Sequence, residues 1–147
     1  MKSIFTKELA KALEIRKQYD IAYESNDEVG KAAARKAMQE LKDSIWAMGN
    51  EYFRVFQMAL DSMEKGNDLI DLHDSIWDEH VPAFIENLRK CGIDRFTFSS
   101  TWSSAVKTAW LFLQNGCTNE GMIEIHTGNF PYGGAEEMAP AYIFSIH

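Results

Sequence analysis

The chain has 147 residues, 46% hydrophobic and 25% charged, a balance too apolar for a disordered chain and a length usual for one domain. Its 15 Lys and Arg against 22 Asp and Glu give a formal net charge of −7, so counterion release cannot drive binding to DNA or RNA, and direct nucleic-acid affinity is disfavoured. Met1 to Lys11 holds no apolar core of the kind a secretory leader needs, and the longest uncharged run, between Lys107 and Glu120, is too short to span a membrane; a cytoplasmic protein is expected.

Phe5, Leu9, Ala12, Tyr19 and Tyr23 recur at helical spacing and predict a first helix from Thr6 to about Glu24. Ser25-Asn26-Asp27 ends it, and Ser25 with Glu28 fits a capping box for the helix that follows. In that next helix Ala34, Met38, Leu41, Ile45, Met48, Tyr52, Val55 and Ala59 alternate spacings of four and three, the pattern of a heptad seam. The seam crosses Gly49-Asn50 without a change of phase, so the pattern predicts one helix from about Asp27 to Lys65, stopped by Gly66-Asn67. At about 1.5 Å per residue such a helix outruns a domain of this size. The first helix is therefore expected to fold back on its N-terminal half as a helical hairpin, and the seam also offers a route to a homodimer. A third helix is expected between Asp68 and Lys90, with Pro82 either preceded by a short turn or sitting at a kink, and with Cys91-Gly92 as its stop.

After Gly92 the texture changes. Arg95 to Ser99 alternates with the period of a strand, and Ser99-Ser100-Thr101 offers three candidate caps for a following helix. In that helix Trp102, Ala105, Val106, Ala109, Trp110 and Leu113 form a stripe read as core-facing. Cys117 to His126 predicts a second strand, Thr127 to Pro140 a turn-rich loop, and Ala141 to His147 a last strand. If the first two strands are parallel neighbours, their crossover is right-handed, and the last two can pair as a wide hairpin. The expected fold class is α+β: one domain, mostly helical over residues 1–91, with a small mixed sheet and one helix over 92–147.

The charge is unevenly placed. Asp61, Glu64, Asp68, Asp71, Asp74, Asp78, Glu79 and Glu86 face Lys65 alone, so this stretch accounts for the entire net charge. On a helix, Asp61, Glu64, Asp68 and Asp71 would share one face, and the functional reading is a surface complementary to a basic protein partner. An ordinary solvated helix face is the alternative. His73 and His80 lie among these carboxylates, but neither Glu-x-x-His nor His-Glu-x-x-His occurs, so no metal is assigned. No phosphate-loop, dinucleotide or nucleophile-elbow motif occurs at Ser99-Ser100-Thr101, so no cofactor is assigned. His126 and His147 end adjacent predicted strands and could meet near Glu124. Cys91 and Cys117 read as reduced, structural thiols. The leading expectation is a non-enzymatic binding protein. The alternatives are a small ligand-binding domain or enzyme with a pocket near Ser99 to Thr101, and a structural oligomer held by the seam.

The run Gly92-Ile93-Asp94-Arg95-Phe96-Thr97-Phe98-Ser99-Ser100-Thr101-Trp102-Ser103-Ser104, continued through Ala109-Trp110-Leu111-Phe112-Leu113-Gln114-Asn115-Gly116-Cys117, resembles a signature of small, uncharacterised accessory proteins of bacterial mobile elements. The resemblance covers mainly Gly92 to His147 and transfers no functional residue. It implies a protein acting on host machinery, with the acidic stretch occupying the basic groove of a nucleic-acid-targeting defence effector.

Overall fold

A computed structural model describes residues 1–73, 76–128 and 137–147. Three helices open the chain, α1 (Thr6–Glu24), α2 (Glu28–Trp46) and α3 (Asn50–Glu64), with α2 packed on α1 and α3 against both. The continuous helix expected from Asp27 to Lys65 is thus two. Gly49 adopts φ 135° and ψ 154°, a region in effect reserved for glycine, and the Met48 and Gly49 amides turn back to the Ile45 and Trp46 carbonyls. The seam keeps its phase because both halves bury it inside the chain. Leu41 and Ile45 of α2 and Val55 and Ala59 of α3 all lie in the core, whereas Met48, at the bend, is exposed. A straight helix would carry one half of the seam away from α1; the bend lets α1 cover both.

The caps also differ from expectation. Asp27 caps α2, accepting from the Gly30 amide at 2.9 Å, while the Ser25 hydroxyl donates to the Ile21 carbonyl and closes α1.

The remainder runs β1 (Ile70–Leu72), a 3-10 turn (Asp78–His80), α4 (Val81–Lys90), β2 (Arg95–Phe98), α5 (Ala105–Gln114), β3 (Cys117–His126) and β4 (Met138–Ile146). The fold is α+β. The sheet order is β1-β2-β4-β3, with β1 parallel to β2 and the other pairs antiparallel. Two features correct the sequence reading, and a third, the short turn Asp78–His80 ahead of Pro82, is one of the two alternatives it gave. Ile70 to Leu72 is a strand where a helix is predicted: Ile70 and Leu72 bury one side chain each beside Phe96 and Phe98, and three residues are too few for a period of two to show. Pro82 lies in the first turn of α4, where its missing amide costs no helical hydrogen bond, so there is no kink. And β2 and β3 are separated by β4, leaving β1 and β2, joined through α4, as the parallel pair. The expected hairpin of the last two strands is present.

The core is aromatic at its C-terminal end. Phe112 of α5 meets Phe96, Phe98 and Phe144 with ring centroids 5.1, 5.1 and 5.2 Å away. The same core continues to α1 through Phe5, whose ring meets Phe56 of α3 at 5.5 Å. Polar clamps fix the elements around it. Arg89 of α4 donates to the carbonyls of Asn115 and His147, and a Cβ at Gly116 would stand 2.7 Å from that guanidinium. Asn67, just after α3, bonds both the amide and the carbonyl of His126 at 2.8 Å, standing in for a neighbouring strand.

Candidate functional site

β1 carries Asp71 on the face opposite Ile70 and Leu72, next to Thr97 of β2. There the Thr97 hydroxyl donates to Asp71 Oδ1 at 2.7 Å and the Ser99 hydroxyl to Oδ2 at 2.6 Å, while the Asp71 amide donates to Ser62 Oγ of α3. Burial pushes the Asp71 pKa above the usual aspartate range, outweighing the two hydroxyls that hold it down. His73 Nδ1 lies 3.1 Å from Ser99 Oγ. In a nucleophile relay the imidazole stands between hydroxyl and carboxylate; here the hydroxyl stands between the other two. Ser62, Asp71, His73 and Ser99 line a polar pocket of about 420 Å³ that also takes in Asp61, Lys65 and His126.

This use of Ser99 explains why Ser99-Ser100-Thr101 does not cap α5. Ser99 is spent on Asp71, Ser100 Oγ accepts from the Trp102 amide at 3.3 Å, and the helix begins only at Ala105, with Ser104 at its N-cap and no side-chain cap bond.

α5 forms a second candidate site. Its buried residues are Thr108 and Phe112, so the stripe read as core-facing looks outward: Val106 is 82% exposed, and Trp102, Trp110 and Leu113 are exposed as well. α5 has nearly no polar face to mark its outer side, and the flat Phe112 ring is the one that fits among three other phenylalanines. All four tryptophans, Trp46, Trp77, Trp102 and Trp110, are exposed. α5 stands as a ridge between two clefts. One, about 650 Å³, holds Trp77, Trp102, Asp78, Glu79 and Lys107. The other, about 670 Å³, lies between Val106, Trp110 and Leu113 of α5 and the open β3–β4 face, where Met122, Pro140 and Tyr142 are exposed.

The acidic residues do not share one helix face. Asp61 lies on α3 and pairs with Lys65 at 3.2 Å. Glu64, also on α3, turns toward Arg16 of α1 at 3.9 Å, and burial raises its pKa. Asp68 is exposed in the connection to β1, and Asp71 is drawn into the sheet. Asp78 accepts from the Thr108 hydroxyl, with Lys107 Nζ 4.0 Å away, and Glu79 beside it is exposed. Asp74 lies outside the described residues.

His126 and His147 lie at opposite ends of the β3–β4 pair, since His126 pairs with Met138 and His147 Nε2 sits 2.7 Å from Thr118 Oγ1; no site joins them. Among the described residues no three His, Cys, Asp or Glu side chains converge to hold a metal, and no helix is long and apolar enough to cross a membrane. Cys91 and Cys117 are free thiols in the core, and burial pushes both pKa values up to about 11. Sequence reasoning missed the Asp71–Ser99–His73 network because Asp71 and His73 lie on or just after a strand it read as helix, so their pairing with Ser99 beyond β2 could not be anticipated.

No curated protein and no solved structure matches the chain. The polar pocket and both clefts beside α5 fall within residues 54–146, and over that span the chain matches, and belongs to, the family described as a domain of unknown function, DUF7698.

Proposed function

We propose that the chain is a non-enzymatic binding protein that receives a basic amphipathic helix of a protein partner in the groove between α5 and the β3–β4 face. One observation carries this reading: Val106, Trp110 and Leu113 on the helix and Met122 and Tyr142 on the sheet are large apolar side chains left exposed around one groove of about 670 Å³. Exposed apolar surface gathered in one place marks an interaction site, and tryptophan and tyrosine are the side chains that most often dominate binding energy. A helix laid alongside α5 buries one apolar stripe against both walls.

The charge supports a basic partner. Glu124 on β3 is exposed and pairs across the ladder with Pro140, a residue of this groove, and Asp78 and Glu79 line the cleft on the other side of α5. The acidic stretch thereby contributes at this cleft through the exposed Glu79 and through Asp78, whose carboxylate also holds Thr108, while Asp61, Glu64 and Asp71 are engaged elsewhere in the chain. The resemblance to mobile-element accessory proteins directs this reading toward a host effector with a basic nucleic-acid groove as the partner.

A labelled model helix with leucine on one face and lysine on the other tests the reading by fluorescence anisotropy. Val106→Asp combined with Trp110→Ala is expected to weaken binding roughly tenfold or more, added salt to weaken it further, and Trp46→Ala to leave it unchanged. Equal binding of a helix with glutamate in place of lysine, or equal loss in Trp46→Ala, would overturn it.

A further inference from the structure

We infer that the groove where α1, α2 and α3 meet is a binding site for a small organic phosphate, with Lys42 and Arg35 taking the phosphoryl charge. The site shares no residue with the α5 groove and does not rest on the helix-binding reading. Its pocket, about 340 Å³ and within the range of small-molecule sites, is lined by Arg16 and Tyr19 of α1, Arg35 and Lys42 of α2, and Gln57 and Glu64 of α3.

Lys42 supplies the reason. Three lysines of the chain are half-buried, Lys31, Lys42 and Lys65. Lys31 holds Glu28 at 2.7 Å and Lys65 holds Asp61 at 3.2 Å, whereas Lys42 pairs with no carboxylate among the described residues. An ammonium drawn partly out of water loses hydration that a counter-ion returns. Glu64 feels the Lys42 charge across the groove, but its carboxylate turns to Arg16, 3.9 Å away. Arg35 is the second cation without a carboxylate among the described residues. Its guanidinium lies over the Tyr19 ring, 5.4 Å from the centroid, and donates to the Tyr19 hydroxyl at 3.2 Å, so a neutral group fixes its place and leaves its charge unmatched. In the lining, cations outnumber carboxylates three to one, and three to two when Asp20, which also holds Arg16, is counted. No histidine lines the pocket, and the excess holds whether Glu64 is ionised or not.

The anion that fits is a phosphate monoester. Lys42 and Arg35 lie about two turns apart on α2 and line the same pocket. Their two charges match a group that carries about −1.5 to −2 at neutral pH, where a monocarboxylate leaves one unmatched. The Tyr19 hydroxyl accepts from Arg35 and keeps its own proton to donate, and the Gln57 amide adds donors of its own. Ile15 and Leu60, both buried, and the half-buried Met38 give the carbon portion of the ester an apolar floor. A floor enclosed by three helices suits a compact ligand better than a phosphorylated side chain carried on a protein.

Calorimetric titration of the full chain at neutral pH with phenyl phosphate, followed in parallel through the Arg35 Nε and Tyr19 amide resonances, tests the site. Saturable binding that shifts both is expected. Inorganic phosphate should bind more weakly because it leaves the apolar floor unused, and benzoate because it brings one charge. Lys42→Met keeps an apolar stem and deprives no carboxylate of an ion pair, and should weaken binding roughly tenfold or more. Arg35→Gln, at an exposed position, should weaken it several-fold and serves should Lys42→Met fail to fold. Lys36→Gln, exposed on α2 and outside the pocket, should leave it unchanged. Added salt should weaken binding in the parent chain. Absence of saturable binding, an equal loss in Lys36→Gln and Lys42→Met, inorganic phosphate or benzoate binding as tightly as phenyl phosphate, or binding of a phosphoserine peptide alone overturns the inference.

Discussion

Phe112→Ala sets the two sides of α5 against each other. The ring is fully buried and has three aromatic neighbours between 5.1 and 5.2 Å away, so its removal opens a cavity at the centre of the sheet-facing core. Truncating a buried phenylalanine costs about 3–5 kcal/mol, and loss of the edge-to-face contacts places this site toward the upper end. Against a typical total of about 5–15 kcal/mol this is roughly a fifth or more of the stability, a fall in melting temperature of roughly 6–20 °C. Trp110→Ala on the same helix removes a larger side chain that is 53% exposed, and should cost less than about 1 kcal/mol. Urea titration followed by far-ultraviolet circular dichroism measures both. A loss below about 1 kcal/mol for Phe112→Ala, or an equal loss for Trp110→Ala, would refute the assignment of the inner and outer faces.

Gly49→Ala places a Cβ on a residue at φ 135° and should cost about 1–3 kcal/mol by the same urea titration; a stabilised variant would mean that α2 and α3 prefer to join. Ionisation of Asp71 opposes folding, because its pKa is raised in the folded state. Its favourable contribution is present while it is protonated and is lost as pH rises from the usual aspartate range through the raised value, so stability measured across mildly acidic pH should fall less in Asp71→Asn than in the parent chain. With thiol pKa values near 11 and both sulfurs buried, Cys91 and Cys117 should resist alkylation at mildly alkaline pH until the chain is unfolded in urea, and rapid native labelling of either would contradict their placement.

The first helix, the final hairpin and the α+β class were legible because each rests on periodicity sustained over many residues. The break at Gly49 was not, since the seam continues in phase on both sides and only the backbone angles of one glycine record the turn. β1 escaped notice for the opposite reason: three residues are too short to display any period, and the signal lies in their partners, Phe96 and Phe98, more than twenty positions away. α5 is apolar nearly all round, so its stripe gave the right helix and the wrong inward side. Long-range pairing also hid the polar pocket, which draws Ser62, Asp71, Ser99 and His126 from four separate elements or their flanks. The acidic stretch was visible as composition, but composition does not disclose that Glu64 and Asp71 point inward while Glu79 points out.

The family match begins inside α3, whereas the physical unit does not. Val55, Phe56, Ala59 and Leu60 are covered in this chain, Phe56 by the Phe5 ring, and the Ile4 amide donates to the Cys91 carbonyl at 2.8 Å. A polypeptide cut to residues 54–146 would uncover that apolar strip and strip its first helix of its opening turn. The boundary drawn by sequence likeness is therefore a poor place for a truncation: the N-terminal helices act as a built-in chaperone for α3, and a shortened chain needs a substitute cover or will find one in another copy of itself.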